Sequence, residues 1–220
     1  MNAPILSRFD ICEAADAAAR DEVYRFRYRI YVEQMGRRQK YADHQRRMIV
    51  EPLDETATIY AAYHNGALVG TIRGNRFSDP HTDYYRRLYK VDARFPFEAH
   101  EMSLTTKLMV EPQLQRSMYP IRLIVHYARH FHYGRGCKID FLDCNKHLIP
   151  FFQKFGYLDY RGWVVHREYG TVRPLCCPAD QISRFEQLRS PLGAIARDYY
   201  SDDQFGGAAL VGRLMQEAER

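Results

Sequence analysis

The segment from Lys138 to Tyr160, KIDFLDCNKHLIPFFQKFGYLDY, constrains the fold more than any other part of the sequence. A short apolar run is followed by a polar turn and then by a stretch with helical spacing that stops at Gly156. A glycine at this place permits the left-handed backbone that lets a chain double back after a helix. The segment therefore predicts a strand at 138–142, a helix at 146–155 and a strand at 157–165.

The rest of the chain extends this alternation. Two β-prone runs flank His64-Asn65-Gly66, and an Asn-Gly pair supplies the positive φ values that a tight hairpin needs. The other expected elements are strands at 8–12, 58–63, 67–73 and 101–110 and helices at 16–35, 82–89, 120–133, 179–188 and 208–217. This order predicts an α/β (α+β) fold with a partly antiparallel sheet. A chain of 220 residues fits a single domain over 1–220, in which 179–220 forms a C-terminal helical extension.

The composition is that of a soluble globular protein, with 46% hydrophobic and 27% charged residues. No apolar run approaches the roughly 18 to 20 residues of a membrane helix, and the first residues lack the pattern of a signal peptide. We therefore expect a cytoplasmic protein without a membrane span. The five cysteines include no CxxC pair, and His126 and His130 have no cysteine or carboxylate partner at ligand spacing, so we expect reduced thiols and no metal.

Positive charge is concentrated in residues 37–47, here called the basic segment. Its charged residues are Arg37, Arg38, Lys40, Arg46 and Arg47, together with His44. Such a segment can meet a phosphate group or an acidic protein face, or it can be a solvated loop. The formal charge of the whole chain, +5, is too small to indicate nucleic acid as a partner by itself.

The run FFQKFGY, Phe151 to Tyr157, resembles the closing motif of the GNAT superfamily of acyltransferases, in which a helix ends at a glycine and a strand follows. Upstream, residues 107–110 are similar to the superfamily's splayed strand, Pro112 to its loop proline, and Gln115 to its glutamine or arginine position. The resemblance implies a GNAT-like mixed, mostly antiparallel central sheet with a splayed strand and helices on both faces. It also implies an N-acyltransferase activity.

In that superfamily the strand and the following loop hold the pantetheine arm and the phosphates of the acyl donor. The donor-binding residues implied here are Leu108, Met109, Val110, Gln115, Arg116, Ser117, Met118, Asn145 and Phe152. The loop departs from the superfamily pattern, because Arg116, Met118 and Pro120 stand where small residues let a backbone wrap around a pyrophosphate. A donor with one phosphate tolerates this departure better than coenzyme A. The expected co-substrate is therefore acyl-4′-phosphopantetheine on acyl carrier protein, bound through the basic segment, with acyl-CoA as the alternative.

Four further motifs resemble those of acyl-homoserine-lactone synthases and N-acyl amino acid synthases. They are RFRYRIYVEQMG at 25–36, Glu51-Pro52-Leu53-Asp54, Gly70-Thr71-Ile72-Arg73 and Arg189-Ser190-Pro191-Leu192. The resemblance implies transfer of a fatty acyl group to the amine of an amino acid or a small amine. The lactone synthases carry Glu-x-Ser-Arg, whereas here Leu104 follows Ser103, or else Lys107 takes the arginine place. We therefore expect an acceptor that does not form homoserine lactone.

Two other functions stay open. The first is an ordinary acetyl-CoA-dependent GNAT N-acetyltransferase of a small amine or a protein lysine, against which the glycine-poor loop argues. The second is a non-catalytic GNAT-like binding module that uses the basic segment against nucleic acid, for which the modest net charge gives little support.

Acyl transfer to an amine requires a proton acceptor and stabilisation of a tetrahedral oxyanion, and needs no covalent nucleophile. Glu101 is the candidate general base, acting directly or through a water molecule. Ser103 or the Val110 amide can meet the oxyanion. Tyr157 or Tyr160 is the candidate proton donor to the leaving thiolate, as implied by the superfamily resemblance.

Charged residues near the hairpin are candidates for binding the acceptor. Asp54, with Glu51 three residues before it, suits either recognition of a cationic amine or an ion pair with Arg27 and Arg73. Arg73 can alternatively hold the carboxylate of an amino acid in a bidentate pair. Arg27, Asp54 and Arg73 are therefore the predicted substrate-binding residues.

Overall fold

The computed structural model describes residues 10–218, so Arg8 and Phe9 of the first expected strand lie outside the described residues. The strands are β1 Asp10–Glu13, β2 Ala42–Asp43, β3 Met48–Ile49, β4 Thr58–His64, β5 Ala67–Arg76, β6 Met102–Val110, β7 Ile139–Cys144, β8 Leu158–Asp159, β9 Val164–His166 and β10 Gly170–Pro178. The helices are α1 Ala17–Tyr28, α2 Asp83–Tyr89, α3 Val91–Arg94, α4 Tyr119–Ala128, α5 Ile149–Gln153, α6 Ile182–Gln187, α7 Leu192–Tyr199 and α8 Gly207–Ala218.

The described chain divides into two compact units, and β5 and β6 contribute residues to both. The first unit contains residues 10–74 and 107–127, and the second contains 75–106 and 128–218. The expectation of a single domain over 1–220 with a helical extension at 179–220 stays a prediction.

The first unit is built on an antiparallel hairpin. β4 pairs with β1 on one side and with β5 on the other, and Glu111, just after β6, donates its N–H to the Val69 carbonyl of β5 at 2.8 Å. The hairpin turn is Asn65-Gly66, with φ of 51° and 79°, which is the two-residue turn that the Asn-Gly pair predicts. The expected hairpin is therefore confirmed.

The first helix covers this hairpin with its apolar face. Val23, Phe26 and Ile30 belong to one buried cluster with Ile59 of β4 and Leu68 of β5. The Asp16 side chain caps α1 by accepting from the Ala19 N–H at 2.8 Å. Helical backbone continues past α1 as a π-helical turn over Arg29–Gln34, and Gly36 follows with a φ of 63°. The sequence-based helix at 16–35 is confirmed.

The second unit contains the one parallel pairing among the registers of the described strands. Ser103 of β6 lies opposite Asp140 of β7 in a parallel register, whereas β10 pairs antiparallel with β7, β8 and β9. Aromatic side chains fill the interior of this unit. Phe95 packs edge-on against Phe141 and Tyr160, with ring centroids 4.7 and 5.1 Å apart. Helices with a mixed, mostly antiparallel sheet confirm the expected fold class.

The sequence analysis missed β10, whose residues 173–178 pair with all of β7. Its two prolines, Pro174 and Pro178, indicate an edge or a loop rather than a paired strand. The structure accommodates Pro174 on the side of β10 that faces away from β7. On that side residues 170–172 pair with β9 and Leu175–Cys176 pair with β8, so the proline lies between the two paired stretches. The expected strand at 157–165 is also wrong in part, since it is two short strands, β8 and β9.

A further helix, α7, follows the Ser190-Pro191-Leu192 motif, where the sequence indicated only a turn. Ser190 Oγ accepts the Leu192 N–H at 3.2 Å and donates to the Phe155 carbonyl at 3.0 Å. Gly193 of α7 lets this helix approach α6 closely, since a Cβ at that position would lie 3.3 Å from Phe185 Cβ. The motif therefore joins the C-terminal helices to the turn that ends at Gly156.

We predict that Gly156→Ala destabilises the protein by about 2–5 kcal/mol, since it adds backbone strain and overpacks a filled space. Gly156 has a φ of +107°, and a Cβ there would lie 2.5 Å from Phe185 Cε1. Urea unfolding followed by circular dichroism measures the change. Gly162→Ala is the matched control, because nothing lies within 4 Å of its Cβ position. Equal stability of the two variants would contradict the prediction.

Candidate active site

Five charged side chains form a buried group in the first unit, here called the ionic cluster. Arg27 Nη1 lies 2.8 and 2.9 Å from the two carboxylate oxygens of Asp54, and Arg73 Nη1 lies 3.0 Å from Asp54 Oδ1. Glu51 completes the group, with its oxygens 2.7 Å from Arg73 Nη2 and 2.5 Å from Lys107 Nζ. The sequence left two roles open for Asp54, recognition of a cationic amine and an ion pair with Arg27 and Arg73. The structure shows the ion pair. Contact of these residues with the acceptor stays a prediction.

Local sequence places the carboxylates of this cluster. Residues Pro52–Asp54 form a 3₁₀ turn in which Glu51 and Asp54 cap each other, and the Glu51 N–H donates to Asp54 Oδ2 at 2.7 Å. Lys107 has a φ of +53°, which is uncommon for a residue other than glycine. Its Nζ lies 5.0 Å from the centre of the Tyr31 ring, so the side chain is held by a carboxylate and an aromatic face together.

The cluster keeps its carboxylates ionised although they are buried. Burial by itself raises the pKa of Glu51, but the charges of Arg73 and Lys107 outweigh it and hold the pKa well below its ordinary value of 4.5. Burial acts in the same direction on Asp54, and Arg27 and Arg73 hold the pKa of that carboxyl below its ordinary 3.8. Both groups therefore carry a negative charge at neutral pH.

A second buried carboxylate, Asp140 on β7, lies in the second unit, and the sequence analysis did not select it. Three hydroxyl groups donate to it: Ser103 Oγ and Tyr157 OH, each at 2.6 Å, and Thr105 Oγ1 at 2.8 Å. Two of the predicted catalytic residues, Ser103 and Tyr157, therefore share one partner. The signal that could have found it is a single carboxylate inside the apolar run 139–142, since a buried charge needs partners.

The third predicted catalytic residue, Glu101, has a different environment. It ends the 3₁₀ turn Ala99–Glu101 just before β6, and its carboxylate accepts the Glu98 N–H at 3.0 Å. Lys138 Nζ lies 2.5 Å from Glu101 Oε1, and hydrogen bonding from that ammonium lowers the pKa of Glu101. A lowered pKa makes the Glu101 carboxylate a weaker proton acceptor.

The predicted donor-binding residues of the first unit lie at the end of β6 and in the turn before α4. Met109 and Val110 are buried and Leu108 is half-buried, whereas Gln115, Arg116 and Met118 are exposed. A 3₁₀ turn over Pro112–Leu114 fixes the loop, and Ser117 Oγ bonds to the Leu114 carbonyl at 2.5 Å. The exposed side chains at positions 115, 116 and 118 occupy the surface that glycines would leave open.

The other two predicted donor-binding residues belong to the second unit. Asn145 precedes the 3₁₀ turn Lys146–Leu148, and its carbonyl accepts the Leu148 N–H at 2.9 Å. Phe152 is buried on α5, with its ring centroid 5.6 Å from that of Tyr157. Phe152 therefore restrains the ring of the tyrosine that bonds to Asp140.

Most of the basic segment is exposed. Arg38, Lys40, Arg46 and Arg47 are exposed and Arg37 is half-buried. Arg47 pairs with Glu33, and Tyr28 OH lies 2.8 Å from His44 Nδ1. An open surface pocket of about 470 Å³ is lined by Arg46 and Arg47 together with side chains of α1 and the hairpin: Glu22, Arg25, Phe26, Tyr28, Arg29, Glu33, Ala67 and Leu68.

The family described as "N-acyl amino acid synthase FeeM" matches residues 22–176, which is more than half of the chain. This chain belongs to that family. It is an N-acyltransferase with a GNAT-like fold. The match spans the ionic cluster, β6 and the Asp140 site. No curated protein sequence matches the chain significantly.

Solved structures share the fold at low sequence identity. MesI, a CoA-dependent acyl-homoserine lactone synthase, is 19% identical, with 83% of this chain and 93% of that chain covered and a TM-score of 0.61. TofI, solved with an inhibitor and MTA, is 16% identical, with 86% and 99% covered and a TM-score of 0.63. FeeM, an N-acyl amino acid synthase from uncultured soil microbes, is 12% identical, with 86% and 98% covered and a TM-score of 0.55.

Within residues 10–218, no three His, Cys, Asp or Glu side chains lie together in a way that could hold a metal ion. In the same part of the chain, none of the helices has the length and apolar character needed to cross a membrane.

We predict that Asp54→Asn destabilises the protein by about 3–5 kcal/mol at neutral pH, because it leaves the buried Arg27 guanidinium without its carboxylate and leaves Arg73 with Glu51 alone of the two carboxylates in the cluster. The folded-state pKa values of Glu51 and Asp54 lie below their ordinary values, so their contribution to stability is complete above about pH 4.5 and is lost as the pH falls through the folded values. Urea unfolding across this pH range measures both effects.

Asp21→Asn is the control for that prediction. Asp21 pairs with Arg25 at 3.8 Å on the exposed face of α1, and its loss should change the unfolding free energy by less than about 0.5 kcal/mol. The wild type should also lose more stability between neutral and acidic pH than Asp54→Asn does. If the free energies of unfolding of the wild type and Asp54→Asn fell in parallel with pH, the ionic cluster would not be the source of the pH-dependent stability.

Proposed function

We propose that this synthase transfers a fatty acyl group from a phosphopantetheine thioester to the amine of an amino acid or a small amine, in the cytoplasm. The observation that carries the proposal is the family match over residues 22–176, which includes the ionic cluster and Asp140. Glu101, Ser103 and Tyr157 are the proposed catalytic residues, and Asn145, Phe152 and the 108–118 region are the proposed donor-binding residues.

For the donor, we propose acyl carrier protein. The loop at 115–118 supports this choice of donor. Arg116 and Met118 are exposed there, and Ser117 Oγ is already bonded to the Leu114 carbonyl. A pyrophosphate requires close approach to several backbone N–H groups, and these side chains hinder it. The solved structure of MesI is named CoA-dependent, so acyl-CoA is the second candidate for the donor.

For the acceptor, we propose an amine that also carries a carboxylate. The ionic cluster contains three cations and two carboxylates, all of them buried. A buried cation favours an anionic group nearby. Arg27 contributes most directly, because its Nε and Nη2 find no hydrogen-bond partner within residues 10–218. In this proposal Arg27 and Arg73 attract the carboxylate, and Asp54 holds both guanidinium groups in place.

We predict N-acyl amino acids as products when the purified full chain is given a series of acyl thioesters and the twenty amino acids. Each acyl chain is supplied both on acyl carrier protein and on coenzyme A, and liquid chromatography with mass spectrometry detects the product. The mass of the product identifies the acyl group and the acceptor together. Turnover with acetyl-CoA alone would instead support the ordinary N-acetyltransferase, and absence of every N-acyl product would refute the proposal.

We predict that a combined Arg37→Glu, Arg38→Glu and Lys40→Glu variant loses activity with acyl carrier protein selectively. Reversing three charges should raise KM for the acyl carrier protein thioester about tenfold or more, because charge complementarity governs encounter with an acidic partner. The kcat/KM with acyl-CoA should change by less than about threefold. Steady-state kinetics at low and high salt measure both quantities.

A variant with the same change in charge elsewhere is the control. Arg87, Lys90 and Arg213 are exposed in the second unit, and replacing all three by Glu should leave both donors equally active. Equal losses in the two triple variants would exclude the basic segment as the carrier-protein surface.

A further inference from the structure

The open pocket of about 470 Å³ has no part in the proposed acyl transfer. All of its lining residues belong to the first unit, and none of them belongs to the ionic cluster. Its volume lies in the range of about 300–1,000 Å³ that is typical of sites for small molecules. What the pocket can bind depends on the charged and apolar groups that line it.

The long wall of the pocket is one face of α1 and of the π-helical turn that continues it. Glu22, Arg25, Arg29 and Glu33 line this wall, and they are three or four residues apart, as residues on one helical face are. At a rise of about 1.5 Å per residue, the wall is roughly 16 Å long. A groove of this length can hold a polar group at one end and an apolar side chain along its floor.

The floor of the pocket is apolar. Phe26 and Leu68 contribute to it, and both belong to the buried cluster that joins α1 to the hairpin. Ala67, at the start of β5, lines the pocket beside them and is exposed. Because the two larger side chains are packed in the core, the floor keeps its shape and offers apolar contact to a ligand.

The end of the pocket at the β2–β3 turn has unengaged groups of both signs. Arg47 Nε donates to Glu33 Oε1 at 2.8 Å, and Glu33 Oε2 has no partner within residues 10–218. The neighbouring Arg46 side chain also has no hydrogen bond or ion pair in the described part of the chain. Its backbone is held in place, because the Arg46 N–H donates to Asp43 Oδ1 at 2.8 Å. One guanidinium and one carboxylate oxygen are therefore available at this end.

The arginines on the helical wall are already paired with acids of the protein. Arg29 Nη2 lies 2.5 Å from Glu111 Oε1, and Arg25 Nη2 lies 3.8 Å from Asp21 Oδ2. A ligand carboxylate would have to compete with these acids, whereas it could pair with Arg46 without such competition. Arg46 is therefore the arginine of the pocket best suited to hold a ligand carboxylate.

We propose that this pocket binds a free amino acid with a large apolar side chain. The ligand carboxylate pairs with Arg46, its ammonium group pairs with Glu33 Oε2, and its side chain lies along the apolar floor. A zwitterion complements both signs of charge, whereas a plain anion meets the carboxylates of Glu22 and Glu33 and a plain cation meets four arginines. The proposal goes beyond the acyl transfer, since this site is separate from the acceptor site proposed at the ionic cluster.

The test measures binding to the purified full chain without an acyl donor, by two-dimensional ¹H–¹⁵N NMR titration. The probe is L-phenylalanine, for which we expect a Kd of about 1 mM or tighter. N-acetyl-L-phenylalanine lacks the ammonium charge and L-phenylalanine amide lacks the carboxylate, so each should bind about tenfold or more weakly. Glycine has no side chain to contact the floor and should bind about fivefold or more weakly.

Two variants at exposed positions connect the binding to the pocket. Arg46→Gln should weaken binding of L-phenylalanine about tenfold or more, but should change that of the amide less than about threefold, since the amide has no carboxylate. Glu33→Gln should give the converse pattern, with N-acetyl-L-phenylalanine as the unaffected ligand. Arg87→Gln is the control, because Arg87 is exposed in the second unit and does not line the pocket. It should bind L-phenylalanine like the wild type.

Three outcomes would overturn the inference. Equal binding of L-phenylalanine by the wild type, Arg46→Gln and Glu33→Gln would place the ligand outside the pocket. Tighter binding of inorganic phosphate than of L-phenylalanine, lost in Arg46→Gln, would show a site for a plain anion. Unchanged NMR spectra at about 20 mM L-phenylalanine would show that the pocket binds no such amino acid.

The acyl-transfer assay separates this inference from the proposed function. A wild type that makes N-acyl amino acids but binds no amino acid in the pocket overturns only the inference. A wild type that binds L-phenylalanine through Arg46 and Glu33 but makes no N-acyl product overturns only the proposed function.

Discussion

A carboxylate buried away from water must be given partners, and this requirement organises both units of the structure. In the first unit the partners of Glu51 and Asp54 are cations, which join α1, the turn before β4, β5 and β6 in one contiguous set of ion pairs. In the second unit the partners of Asp140 are hydroxyl groups from β6 and from the turn after α5. Both kinds of partner stabilise the buried negative charge, but cations and hydroxyl groups differ in whether they can exchange a proton.

A guanidinium holds its protons at every physiological pH, so the ion pairs of the first unit can attract and orient but cannot pass a proton onward. A phenol in the same position can release its proton and accept another. The cations of the ionic cluster hold the pKa values of Glu51 and Asp54 below their ordinary values, which makes these groups poor bases and good scaffolds. The two units therefore stabilise their buried carboxylates with partners of different acidity, permanent cations in the first unit and hydroxyl groups in the second.

Lys107 illustrates how the ionic cluster depends on backbone geometry. The Glu-x-Ser-Arg motif of the lactone synthases can be aligned in two ways on β6. One alignment uses Glu101 to Leu104, the other uses Leu104 to Lys107, and each fits part of the motif. In the structure Lys107 Nζ pairs with Glu51, and the residue takes a φ of +53° to do so. A strained backbone of this kind costs about 1–3 kcal/mol and persists only where the surroundings stabilise it. Both alignments stay predictions.

Much of the fold could be predicted from the sequence because the residues that specify it act locally. The Asn65-Gly66 turn and the glycine at 156 each specify a backbone conformation that few other residues adopt, and both were read correctly. β10 was missed because its prolines contradict a paired strand. Pro174 fits because the neighbour of β10 changes there, and Pro178 is the last residue of the strand. Asp140 was missed for a different reason. Its three donors lie 37, 35 and 17 residues away in the chain, so no local pattern reveals them.

The Asp140 site also explains why residue type alone selected Ser103 and Tyr157 without giving their roles. Each hydroxyl has one proton, and in the structure that proton is directed at Asp140, so donation to an oxyanion by Ser103 would require its 2.6 Å bond to break. A group that is already oriented before the substrate arrives needs no reorganisation during the reaction, which is the main source of electrostatic catalysis. Because the Ser103 hydroxyl is oriented towards Asp140, a role in oxyanion stabilisation requires this side chain to reorganise.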